Sequence, residues 1–175
     1  MVFSGDGAGA GAGAVAVFNT DAIVGNTVFT DTSKGVEIKA SFTKLPEGKH
    51  GFHIHNAGDL RGIGCQGACS HYHIGPSANH GGRPHPTKHT ERHVGDLGNI
   101  ELKGTEARYH YLLKGIKVQD LWGRSVIVHA DEDDLGLGSH DDSKTTGHSG
   151  ARIGCAIIGR IACAKSKNTT RKLRK

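Results

Sequence analysis

The chain has 175 residues, 35% of them hydrophobic, with 27 glycines and 13 histidines. That length suits one domain with a real core, and no run approaches the ~20 apolar residues of a membrane span. The formal charge of +5 belongs to the C-terminal KSKNTTRKLRK, six Lys or Arg with no acid, and the rest of the chain is close to neutral.

Residues 1–13 hold a Gly/Ala repeat, too costly in entropy to order alone, and are expected to fray. The start lacks a charged n-region and a continuous apolar core, so it does not read as a secretory signal and the expected location is cytoplasmic. AVAVF (14–18) and NTVFT (26–30) are short strand candidates. VEIKASF (36–42) sets Val36, Ile38, Ala40 and Phe42 against Glu37, Lys39 and Ser41, the period of a half-buried strand. In HGFHIHNAGD (50–59), a strand turns His53 and His55 to one face and Ile54 to the other. Residues 56–98 and 131–151 break this rhythm. They are rich in Gly, His and Asp, and loops this long are functional or held by a metal or disulfide. ARYHYLL (107–113), SVIVHA (125–130) and CAIIGRIA (155–162) complete the strands. No segment keeps a 3.6-residue period, so the expected fold is an all-β antiparallel sandwich or barrel. It spans residues 14–163. The tail 164–175 is a solvated end or a weak contact for a polyanion.

Most of the histidines crowd between positions 50 and 93. Two neutral imidazoles on one strand face are half of a metal site, although they also suit a plain surface strand. His53, His55 and His129 fall at or near strand ends, where rigid backbone fixes geometry. An all-imidazole set suits copper. HVGD places His93 and Asp96 three apart, so one turn brings a nitrogen and a carboxylate oxygen to a zinc-like tetrahedral site.

These residues lie in motifs that resemble the Cu/Zn superoxide dismutases over nearly all of 15–163: GFHIHNAGD, HVGDLGNI, VIVHADEDDLGLG, TTGHSGARIGC and IIGRIA, in the family's order. The resemblance implies an eight-stranded Greek-key β-barrel, a sandwich of immunoglobulin-like architecture with two long functional loops, assembled as a homodimer. It implies copper at His53, His55, His71 and His129, and zinc at His71, His80, His93 and Asp96. His71 then bridges the two metals, six residues after Cys65, with His73 in HYHIGP as its rival. His80 is chosen because it precedes Gly81-Gly82. The extra residues RPHPTKHTE after it, with His85 and His89, put the loop path in question. Asp133 corresponds to a supporting carboxylate shared by His53 and His80. Cys65 and Cys155 correspond to the family's disulfide, which leaves Cys69 and Cys163 as free thiols or as a source of mispairing.

The implied reaction converts superoxide to O2 and H2O2 by alternating Cu(II) and Cu(I). Zinc tunes His71, and His71 carries a proton to the product. Arg152 in GARIGC corresponds to the arginine that docks the anion. In the charged channel loop SHDDSKTTGHSG, Lys144 sits one place from the family's lysine and either steers substrate or is merely solvated; His140 and His148 read as loop decoration. Ala151 and Ile153 stand where prolines are associated with chaperone-dependent copper loading, so a chaperone is expected to be dispensable. Trp122 in DLWGRS reads as a strand-edge residue at the dimer contact, Ile158 corresponds to another contact position, and Arg160, where the family has an apolar residue, either weakens the contact or forms a rim pair. The divergent ends suggest a virus-encoded chain, located in host cytoplasm. The alternative reading is a copper- and zinc-binding relative without turnover.

Overall fold

The structure is a computed structural model that describes residues 13–76, 78–85 and 90–161. The expectations for residues 1–12, the basic tail, His89 and Cys163 lie outside the described residues.

The strands are β1 (Gly13–Asn19), β2 (Val24–Thr32), β3 (Gly35–Lys44), β4 (Lys49–His55), β5 (Asp96–Glu101), β6 (Ala107–Leu113), β7 (Ser125–His129), β8 (Arg152–Ile157) and β9 (Gly159–Arg160). One sheet runs β6-β3-β2-β1-β9 and the other β5-β4-β7-β8, with antiparallel pairing throughout. β3 pairs with β6 and β4 with β7, so the chain crosses between sheets as a Greek key. β8 and β9 are one strand that changes sheets at Ile158, pairing first with β7 and then with β1. Counted once, it makes the eight strands expected.

The alternation in β3 is borne out: Val36, Ile38, Ala40 and Phe42 are buried, while Glu37, Lys39 and Ser41 face outward or are half-covered. Phe42 meets Phe52 of β4 edge to face at 5.7 Å, joining the sheets through the core. Each such fully buried side chain contributes about 1.5–3 kcal/mol of apolar burial.

β5 corrects the expectation of an unbroken loop over 56–98. DLGNIE hides its strand character because burial covers both faces and Gly98 sits at φ 75°, erasing any period of two.

Candidate metal centre

Every residue of β7 is buried, and so is all of β4 after Lys49. One face of these strands packs into the core through Phe52, Ile54, Val126 and Val128. The other carries Gly51, His53, His55, Ile127 and His129, and the two long loops roof it over. Gly51 is required there, because a side chain would overlap Ser149 of the second loop. The loop residue Tyr72 extends the sheet beside β4, with Tyr72 N–H donating to Ile54 O at 2.8 Å and Gly95 N–H to Tyr72 O at 2.8 Å. That pairing sets His71 opposite His55.

One ring nitrogen from each of His53, His55, His71 and His129 lies within 4.8 Å of the others. In each ring the other nitrogen is pinned. His53 Nε2 meets Asp133 Oδ2 at 2.9 Å, His55 Nδ1 donates to Cys69 O at 2.8 Å, His71 Nδ1 meets Asp96 Oδ1 at 2.8 Å, and His129 Nδ1 donates to Gly150 O at 3.2 Å. The remaining nitrogens, His53 Nδ1, His55 Nε2, His71 Nε2 and His129 Nε2, are buried without a partner among the described residues. Leaving such groups unpaired costs about 1–3 kcal/mol each, so the cluster fits a cation that accepts all their lone pairs. Burial pushes the pKa values of His53, His55 and His71 down and that of His129 to about 4. The rings are therefore neutral, as ligation requires.

A second group, His71, His80, His93 and Asp96, also brings its donor atoms within 4.8 Å. Asp96 Oδ1 is approached by His71 Nδ1 at 2.8 Å, His80 Nδ1 at 3.0 Å and His93 Nδ1 at 3.3 Å. Asp96 Oδ2 is occupied by the N–H groups of His93 at 2.8 Å and Gly81 at 3.0 Å. Burial alone would raise the Asp96 carboxyl, but the three rings hold it far below the ordinary range. Burial opposes charge on His80 too, yet Asp133 and Asp96 raise it to about 9. Three nitrogens converging on one carboxylate oxygen fit a divalent ion that takes the proton's place, with a zinc-like donor set. Asp133 joins the groups, with Oδ1 on His80 Nε2 at 2.7 Å and Oδ2 on His53. Gly147, at φ 68°, is needed beside this carboxylate, because a side chain there would overlap Asp133 and His80.

Arg152 opens β8 opposite His129. Its guanidinium donates to Cys65 O at 2.7 Å and Cys69 O at 2.5 Å. Cys69 O thus orients both Arg152 and His55. The Cys65–Cys155 disulfide is present and ties this loop to β8.

The profile of the copper/zinc superoxide dismutase (SODC) family matches residues 23–158. The chain belongs to this family. It is 44% identical over 142 residues to a Cu-Zn superoxide dismutase of Paramecium bursaria Chlorella virus 1, covering 78% of this chain and 73% of that one. It is 43% identical over 143 residues to an extracellular Cu-Zn superoxide dismutase of Drosophila melanogaster, covering 78% and 76%. The crystal structure of the clock protein EA4 superposes with a TM-score of 0.75 at 36% identity, covering 90% of this chain and 99% of that one. Family membership brings superoxide dismutation and the copper and zinc cofactors.

Of the two histidines in HYHIGP, His71 lies in both groups and His73 in neither. His80 joins the second group despite the inserted residues. The Lys144 ammonium is bonded back to Gly136 O within its own loop. His140 and His148 are exposed and stacked at 3.6 Å, and His148 Nδ1 meets Asp142 Oδ1 at 2.7 Å. Cys69 is a free, exposed thiol. Ile158 is corrected: it is 0% exposed and belongs to the core, whereas Ile157 is 50% exposed. Trp122 is also corrected, since it lies in the turn after a 3-10 segment, Val118–Leu121, rather than on a strand edge. Arg160 stacks over the Trp122 ring at 3.8 Å within the same chain.

Three supporting residues went unread in the sequence. Asn99 clamps Asp133, accepting from its N–H at 2.7 Å and donating to its C=O at 2.8 Å. Arg92 donates to the carbonyls of Gly82, Val94 and Asp96. Cys69 contributes its carbonyl. Asn99 and Arg92 flank the HVGD motif, which was the available signal; a backbone carbonyl leaves none.

Proposed function

We propose that His53, His55, His71 and His129 hold the catalytic copper and that His71, His80, His93 and Asp96 hold zinc, with Asp133 supporting both sets. The observation that carries this reading is His71, whose Nδ1 faces Asp96 while its Nε2 is buried and unpartnered among the other three imidazoles. Bound copper supplies alternating one-electron oxidation and reduction of superoxide. Arg152 docks the anion through its positive charge, aimed by Cys65 O and Cys69 O. His71 Nε2 is placed to hold a proton for the peroxide product. Purified protein is expected to carry about one copper and one zinc per chain and to turn over near the diffusion-controlled range. Full occupancy of both metals with no turnover would select the alternative, a metal-binding relative.

The working assembly in this reading is a C2 homodimer with Trp122 near the twofold axis. Val17, Ile153, Ile157 and Ile161 are exposed apolar side chains, and Trp122 is half-buried against the core edge. Trp122→Asp is expected to give active monomers; a wild type that sediments as a monomer at micromolar concentration sinks the dimer. Copper loading proceeds without a dedicated chaperone, supported by Ala151 and Ile153 in place of proline. Absence of activity in cells lacking that chaperone counts against it. Among the described residues no helix is long and apolar enough to cross a membrane. A cytoplasmic site of action, host cytoplasm for a virus-encoded chain, is supported by the viral relative, while the fly relative is named extracellular. Dialysed fractions from the producing cell locate the activity and decide between them. Residues 14–163 form the catalytic domain in this reading, and the tail 164–175 makes at most a weak polyanion contact, which heparin retention of a tail-truncated chain would test.

A further inference from the structure

The zinc-side donors differ in their access to solvent. The side chains of His71, His80 and Asp96 are 3%, 0% and 0% exposed, while His93 is 16% exposed. An ion reaching this set from water meets the His93 corner first. The ring of His73 lies there, with its centroid 5.6 Å from that of His93 and the planes at 72°.

His73 carries the signature seen in the copper-side rings. Its Nε2 lies 2.8 Å from Pro76 O. A carbonyl only accepts, so Nε2 bears the hydrogen, and in the neutral ring Nδ1 holds the lone pair. Nδ1 is buried and has no partner among the described residues. His55 and His129 show the same arrangement, one nitrogen donating to a carbonyl and the other bare. A ring pinned by a backbone carbonyl with its second nitrogen free is how metal-binding histidines are oriented. Yet His73 belongs to neither convergent group. It has the orientation of a metal-binding ring and stands outside both groups.

We propose that His73 is a transfer ligand: zinc is first held by His73 Nδ1 at the His93 corner and then passes inward to His71, His80 and Asp96, and it leaves by the same route. The inference rests on the zinc assignment made above. A transfer ligand lowers the barrier in both directions and leaves the resting occupancy unchanged. A resident or merely structural residue does the opposite, because removing it loosens the site and speeds loss.

The sign of the change therefore tests the proposal. Fully metallated full-length protein is incubated with isotopically enriched zinc, and native mass spectrometry follows replacement of the bound ion. His73→Asn, with His73→Gln as a second variant, is expected to slow exchange relative to the wild type at unchanged zinc occupancy. Exchange that is unchanged or faster, or a loss of occupancy, overturns the proposal. Wild-type protein that binds no zinc, or keeps it after replacement of Asp96, overturns the zinc assignment itself.

Discussion

The two metal groups share His71 and Asp133 but are built differently. Three of the four copper-side imidazoles stand on neighbouring strands, β4 and β7, whose register sets their spacing before any ion arrives. The zinc-side donors come from 71–96, most of it irregular chain. They are held by cross-loop contacts: Gly81 N–H on Asp96, Arg92 on three carbonyls, and Asp133 on His80. His53, His55, His71 and His129 each keep one bare nitrogen in a fixed frame, whereas in the second group His71 Nδ1, His80 Nδ1 and His93 Nδ1 crowd within 3.3 Å of Asp96 Oδ1, the His80 nitrogen without a hydrogen bond among the described residues. Sheet geometry preorganises the first group. The second depends on buried polar contacts among loop residues.

Replacing a strand-borne ligand breaks the comparison most severely. His53→Ala is expected to abolish copper binding and reduce activity to background while zinc stays bound, because the zinc-side donors are supplied by other residues. Simultaneous metal analysis reads this directly, and loss of both metals would mean the two groups are not separately built.

A smaller effect is expected from Arg92→Gln, which removes the clamp between Gly82, Val94 and Asp96. Zinc affinity should fall about 10–100-fold with copper content unchanged. Competition with a chromophoric chelator measures it, and an unaltered affinity would show that the loop holds itself without the guanidinium.

Arg152→Ala touches neither set and is expected to have the mildest consequence. Metal content should persist and turnover should drop about tenfold, with a weaker dependence on ionic strength than the wild type shows. Rates insensitive to both the substitution and salt would remove Arg152 from anion capture.

Alternation made β3 legible, because a strand with one wet face writes its burial into every second residue. The residues that converge in the two groups were legible through motifs, since imidazoles and carboxylates at strand ends and tight turns are rare enough in combination to identify the family. β7 is buried on both faces and still read as a strand from its apolar run, whereas in β5 burial of both faces combines with Gly98 and interspersed polar residues to break any run or period, which is why it read as loop. The face of Ile158 was within reach, because Cys155 must point out to its disulfide and Ile157 shares that face. The rest depends on how the loops fold. Cys69 O meets both His55 and Arg152 because segments far apart in sequence are folded over one sheet, whereas Arg92 reaches the carbonyls of Gly82, Val94 and Asp96 through the path of its own loop. Residue types and spacing determined which chemistry the chain carries; the packing of those loops decided which main-chain groups hold it in place, since every residue has a carbonyl and only tertiary structure selects one.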